Sequence, residues 1–325
     1  MESFVFAVNA TLPIIIMVAV GYSLKKIGLV DLTLAKKLNT LVFRVFLPAM
    51  LFLNVYSIDS SMNIGAGYIA FGCLGALLIF AVALIVVPLI SKKGDVKAVL
   101  TQACFRSNYA LIGIPLAESL YGAEGAAVAA LMSAFSIPLF NVLAVLSFSF
   151  FCGSKKPSVK KILLGIVKNP LIISIALGGI ALGVKAAFVN NGVQFALESF
   201  PPLYKTLTYL SVAATPIALV SLGAQFEFVD VKEFGREIFF CVAVRNVLAP
   251  SILLTLAYFI GAFSGAHFAS FIALFATPIA VSSVPMAQEL GGHSRLAGQL
   301  VIWTTLVSSV TIFLFSFILK LVGVF

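Results

Sequence analysis

The chain has 325 residues, of which 61% are apolar and only 10% are charged, with a formal net charge of +9. An ordinary globular chain is about 45–50% apolar and about 25% charged, so this composition excludes a soluble globular fold and calls for one embedded in lipid. The four cysteines, Cys73, Cys104, Cys152 and Cys241, follow neither metal-ligand spacing nor a disulfide framework and read as small packing residues.

In chain order, a ruler of about 20 apolar residues per spanning helix predicts ten membrane spans. The first five cover residues 4–24, 34–55, 66–90, 98–120 and 125–151, and the second five cover 170–188, 202–225, 238–261, 267–289 and 297–324. The chain start lacks a basic region ahead of its apolar run, which exceeds the apolar core of a signal peptide, so it reads as the first membrane helix. The predicted fold is an all-α integral membrane protein. Residues 1–151 form one five-helix unit, 152–169 a cytoplasmic linker, and 170–325 a second five-helix unit.

Charge sets the expected orientation. Lys25, Lys26, Lys36 and Lys37 flank the first connection, Lys92, Lys93 and Lys97 the third, and Lys155, Lys156, Lys160, Lys161 and Lys168 the fifth. Lys232 and Arg236 mark the seventh and Arg295 the ninth, against Lys185 and Lys205 for all even connections, a bias of fifteen to two. Positive loops stay inside, so odd connections are cytoplasmic, both termini lie outside, and the cytoplasmic membrane is the expected location. The basic residues are thus topology signals spread over five loops, and nucleic acid is not an expected partner.

The chain also repeats itself. PIIIMVAVG (13–21) resembles PLIISIALG (170–178), Pro48 has a counterpart in Pro216, and ALIGIPLAESL (110–120) aligns with AVSSVPMAQEL (280–290). Each unit holds an odd number of spans, so the second must be inverted relative to the first, as in secondary transporters.

The fourth span carries RSNYALIGIPLAESL (106–120), with polar residues and a Gly-Ile-Pro break inside an apolar segment. Unsatisfied backbone groups are costly in hydrocarbon, so a break persists only when buried in protein or lining a cavity. Gly113, Ile114 and Pro115 are expected to interrupt the helix, and Pro115 to restart it where its missing N–H does no harm. Pro285 is expected to do the same after Ser282 and Ser283 in the ninth span, with Pro278 loosening that segment earlier. One proline alone would merely kink a membrane helix. The matched pair favours two half-helices whose positive N-terminal ends meet near mid-membrane and cradle a carboxylate. Carbonyls freed on the other side of each break offer ligands to a cation.

FRVFLPAMLFLN (43–54), FRSNYALIGIPLAESLYG (105–122), KNPLIISIALG (168–178), ATPIALVSLGAQF (214–226) and ATPIAVSSVPMAQELGG (276–292) follow one another along almost the whole chain. Together they resemble the auxin efflux carrier family in its compact prokaryotic form, which includes malate and malonate permeases and has a bile acid/sodium symporter-like fold. The resemblance implies ten helices with the fourth and ninth broken and crossing. It further implies a scaffold of spans 1, 2, 6 and 7, a transport part of spans 3–5 and 8–10, and a homodimer through the scaffold. The plant carriers' long hydrophilic loop is represented here by residues 152–169, so their substrate does not carry over.

Candidate residues follow. Asn108 reads as a substrate ligand or as a cap for a freed backbone group, and Ser282 and Ser283 hold the equivalent place in the other half or simply pack. Arg106 pairs with an anionic substrate or snorkels, while Arg44 and Arg245 read as snorkelling. Glu118 and Gln288, in the first turn after each proline, are ion-coupling candidates, although Glu118 also reads as a solvated carboxylate near the outer surface. His267 and His293, at span ends, form no ligand cluster, so no metal site is expected. No phosphate loop appears, so ATP is not the direct driver, and neither a cofactor nor a catalytic residue is expected. The favoured function is secondary active transport of a small organic anion such as malate, malonate or an auxin-like acid. The anion would bind at the crossing of helices 4 and 9 and move by alternating access, driven by sodium, protons or its own gradient. The alternatives are a non-transporting membrane sensor on the same scaffold, and an intramembrane enzyme, for which the sequence supplies no buried acid pair or serine with a base.

Overall fold

The structure, a computed structural model, describes residues 2–57, 65–153, 168, 170–190, 196–225 and 234–325. Among these residues the architecture is helical, and the one strand-like pairing is a single bridge. Helix α1 (Glu2–Lys26) ends on Lys25 and Lys26, a basic last turn suited to the negative end of the helix dipole. Asp31 caps α2 (Leu32–Leu41) by accepting the Leu34 N–H at 2.7 Å. A π-turn (Val42–Phe46) then leads into α3 (Leu47–Tyr56), and α4 (Ala66–Ile90) follows. Helix α5 (Gly94–Phe105) stops at an extended segment, after which a π-turn (Tyr109–Gly113) opens α6 (Ile114–Cys152). The second part contains α7 (Pro170–Asn190) and α8 (Pro201–Ala224). Then come α9 (Gly235–Val242), a π-turn (Ala243–Leu248) and α10 (Ala249–Ile260). It closes with α11 (Gly265–Phe275), α12 (Ser283–Glu289) and α13 (Ser294–Leu321). Among the described residues, seven helices are long and apolar enough to cross a membrane.

Each π-turn has a local cause. Pro48, Pro115 and Pro250 have no N–H to give to the carbonyls four residues back, which belong to Arg44, Leu111 and Asn246. All three carbonyls lie inside the π-turns, so the missing bond widens the helix there rather than ending it. The true interruption of α6 comes later, at Tyr121 and Gly122, where Gly122 takes φ +60° and the helix breaks.

Packing divides the helices into two groups. Helix α1 lies against α8, and α3 lies against α7 and α8. These contacts are close because glycines face backbone: a Cβ on Gly21 would overlap the Val220 carbonyl, and one on Gly223 would overlap the carbonyl of Val18. The other group centres on α11 against α6, and α5 against α4 and α6. Its core is aromatic: Phe71 and Phe271 sit with ring centroids 4.9 Å apart, and Phe263 meets Phe271 edge-on at 5.0 Å. Leu74, Ile85 and Leu89 on α4, with Val212 on α8 and Phe259 on α10, turn outward, as hydrocarbon solvent requires.

Candidate functional site

The site is where the chain between α5 and α6 crosses the chain between α11 and α12. Ser107 and Ile279 form an antiparallel bridge. The Asn108 N–H donates to the Pro278 carbonyl at 2.7 Å, and the Ala280 N–H donates to the Arg106 carbonyl at 3.3 Å. Two unwound backbones therefore supply each other with partners in place of the helical bonds that both have lost.

The remaining polar groups are met from the sides. Thr304 on α13 accepts the Ile279 N–H at 3.2 Å and itself donates to the Leu300 carbonyl at 2.7 Å. Thr277 donates back to the Ala273 carbonyl at 2.6 Å. Arg245, with none of its surface exposed, enters from the π-turn between α9 and α10. Its guanidinium donates to the carbonyls of Leu274 (2.9 Å) and Thr277 (3.0 Å) on one broken segment, and of Phe105 (3.2 Å) and Cys104 (3.5 Å) on the other. The snorkelling expected of this residue is overturned, because a planar fork of five donors finds its acceptors inside the protein.

The break itself also differs from the sequence-based expectation. Gly113, Ile114 and Pro115 do not interrupt the helix: Gly113 and Ile114 both have helical backbone angles, and Pro115 lies in the first turn of α6. The unwound residues are 106–108, so Asn108 lies in the break rather than a turn ahead of it. In the other segment residues 276–282 are non-helical and α12 begins at Ser283, which puts Pro285 inside the helix and makes Pro278 the proline of the break. The reason is physical: a proline widens the turn before it, whereas full unwinding needs replacement partners, and the crossing strand supplies those only at 106–108 and 278–280.

A cavity of about 170 Å³ adjoins the crossing and is lined by Arg106, Ser107, Asn108, Tyr109, Asn39, Asn141 and Ser282, together with apolar groups. With about 30 Å³ per water, it has room for a few waters or a small organic acid. Arg106, 8% exposed, donates to Asn141 Oδ1 at 2.9 Å, to Ser282 Oγ at 3.2 Å and to Met286 Sδ at 2.8 Å. Among the described residues it has no carboxylate partner. The Asn108 amide nitrogen is buried without a hydrogen-bond acceptor. Just after the break, the Tyr109 hydroxyl bonds Ser270 at 2.6 Å, and Ser270 also bonds Tyr68, which fixes the start of the new helix to α11. A wider cavity of about 750 Å³ shares Asn39, Phe43, Val281 and Ser282 with the first and adds Lys36, Arg44, Gln288 and Arg295. Among the described residues, the two linings together contain four cationic side chains and no carboxylate.

The structure thus brings Arg106, Asn108 and Ser282 into one lining, with Gln288 in the outer cavity. Gly113 packs where α11 passes, since a Cβ there would lie 3.2 Å from the Ala273 carbonyl. Ile114 and Pro115 are buried in the core, Ser283 is buried with its hydroxyl unpaired, and Glu118 is exposed, away from both cavities. Sequence reasoning missed Asn39 and Asn141. Both are amides inside predicted spans, and that intramembrane polarity was the available signal.

Residues 6–316 match the family described as membrane transport protein. The chain is 22% identical over 337 residues to an uncharacterized transporter of Methanothermobacter thermautotrophicus, spanning 97% of this chain and 99% of the relative. It is 27% identical over 288 residues to a Rhizobium meliloti protein named "Putative malonate transporter", spanning 85% of this chain and 84% of the relative. It is 28% identical over 259 residues to an uncharacterized transporter of Methanocaldococcus jannaschii, spanning 77% of this chain and 78% of the relative. A helical, lipid-facing body and a match across nearly all of its length place this chain in the membrane transport protein family, that of the auxin efflux carriers, as a multi-pass membrane transporter.

Proposed function

We propose that the protein is a secondary transporter of a small carboxylate, which binds at the crossing of the two broken segments. The observation that carries this reading is Arg106: a guanidinium 8% exposed, facing a cavity and, among the described residues, given only neutral partners. A buried charge is costly unless it is paired, and a carboxylate entering the cavity supplies the pair. The Asn108 amide adds an unused donor, and the first turn after Asn108 presents N–H groups of Tyr109, Ala110 and Leu111, which line the same space. Lys36, Arg44 and Arg295 in the wider cavity attract an anion toward it. The relative named for malonate makes a short dicarboxylate the first substrate to try.

The two packing groups suggest how access alternates. The α1, α3, α7 and α8 cluster corresponds to the scaffold of spans 1, 2, 6 and 7. The α5, α6 and α11 group carries the crossing and is the part that moves. The ten-span arrangement in two inverted repeats, with the wide basic cavity on the cytoplasmic side, completes this proposal.

Purified protein in lipid vesicles tests it. Labelled malonate, malate and a monocarboxylate are offered with no gradient, with a sodium gradient and with a proton gradient. Accumulation of one acid is the expected result. Saturable binding without any accumulation would make the protein a sensor and overturn the reading.

A further inference from the structure

Arg245 holds a charge that the proposed anion site does not use. It lies outside both cavities: its side chain is absent from both linings, and its donors all point to backbone. Those acceptors are special in their placement. Cys104 and Phe105 end α5, Leu274 lies in the last turn of α11 and Thr277 two residues beyond it, so one guanidinium spans the C-terminal ends of two half-helices whose following segments cross antiparallel. Each end presents bare carbonyls and the negative pole of a helix dipole. Two such poles facing each other in a buried interior repel, and they form the kind of oxygen-lined pocket that takes up a metal cation. Here the pocket is already filled by a positive charge on the chain itself. Asn246, the next residue, donates to the Thr304 carbonyl at 2.9 Å, and Thr304 holds the Ile279 N–H. The π-turn that carries Arg245 is therefore fastened to the same crossing.

We propose that Arg245 is a resident cation: it occupies, permanently and covalently tethered, the carbonyl pocket behind the crossing, and transport consequently needs no soluble cation at that place. Arg245 is a positioning residue, since it touches neither cavity. It acts by keeping residues 106–108 and 278–280 paired. The transport readouts rest on the reading of the crossing as the anion site, whereas the stability readouts do not.

The test compares wild type with Arg245→Ala, Arg245→Met and Arg245→Lys. Thermal unfolding is followed in detergent, and labelled malonate uptake is followed in vesicles, in choline, sodium, potassium or low-millimolar guanidinium salts. Wild type is expected to melt alike in all four, and any sodium dependence of its uptake should survive in Arg245→Lys. Both neutral variants should melt earlier and take up malonate ~10-fold or more slowly, because two facing carbonyl ends lose their shared partner. Guanidinium, or a small metal cation entering the vacated pocket, should restore both properties saturably in Arg245→Ala, where space has been opened, and less in Arg245→Met, where it is filled. Arg245→Lys, with a charge but no fork, should fall between, and it reports on the charge even if the alanine variant does not accumulate in the membrane. Wild-type uptake that requires sodium through a site abolished by Arg245→Lys would overturn the proposal. So would an Arg245→Met variant as stable as wild type, because packing alone would then explain the residue. If malonate is not carried by any variant, the melting profiles still decide the role of Arg245, and only the anion reading fails.

Discussion

Arg106 and Arg245 differ little in local sequence and greatly in fate. Each follows an apolar run and precedes a polar residue, yet Arg245 spends its donors on four carbonyls, while Arg106 reaches an amide, a hydroxyl and a thioether. The first set satisfies a charge through helix ends. The second leaves it able to pair with a solute. Losing one side of a buried, hydrogen-bonded charge pair costs about 2–5 kcal/mol. Arg106→Gln is therefore expected to lower kcat/KM for carboxylate uptake by ~30-fold or more, with the protein still folded and membrane-inserted. Arg106→Lys should retain only part of the rate, because one ammonium cannot hold Asn141 and Ser282 in the same plane. Vesicle uptake with melting curves as the folding control reads both, and unchanged kinetics in Arg106→Gln would remove this residue from the site. The sequence could show that both arginines lie within spans. It could not show which one finds carbonyls, because those belong to segments about 30 and about 140 positions away.

At the level of elements, the crossing persists because its lost helical bonds are replaced one by one. Thr304 makes the replacement that is easiest to remove without changing shape. Thr304→Val keeps the volume but leaves the Ile279 N–H without its acceptor in the interior. An orphaned buried donor costs about 1–3 kcal/mol, so a lower melting temperature is expected, with uptake reduced in parallel. Equal stability of the valine variant would show that the break does not depend on α13. Helices themselves were largely legible from apolar run length: residues 66–90 were predicted as a span and are helix α4 (Ala66–Ile90), and residues 170–188 fall within α7 (Pro170–Asn190). The broken, crossing pair was legible as well, through prolines at matching positions. Its placement was not. Pro115 suggested where the helix should fail, but unwinding was decided by where a second chain could offer an N–H and a carbonyl, and no local pattern encodes that.

For the molecule as a whole, cationic side chains gather around two adjoining cavities. Lys36, Arg44 and Arg295 border the wide one and Arg106 the smaller one beside it, and among the described residues neither lining includes a carboxylate. Screening acts over about 30 Å at 0.01 M salt and about 8 Å at 0.15 M. Added salt is therefore expected to raise KM for an anion while leaving kcat nearly constant, and Lys36→Gln should raise KM at low salt and flatten that dependence. A KM insensitive to ionic strength in both proteins would mean that the wide cavity does not guide the substrate. The bridge between Ser107 and Ile279 has one more consequence. The residues that would grip a solute come from opposite halves of the polypeptide, and each half stabilises the other's unwound stretch. A gene cut within codons 154–167 should accordingly yield two fragments that are inert when made separately and recover uptake when produced together in one cell. Inheritance would feel the same constraint: a change near position 107 that weakens the pairing is best offset by a second change near 279, so the two halves of the gene are expected to drift as partners.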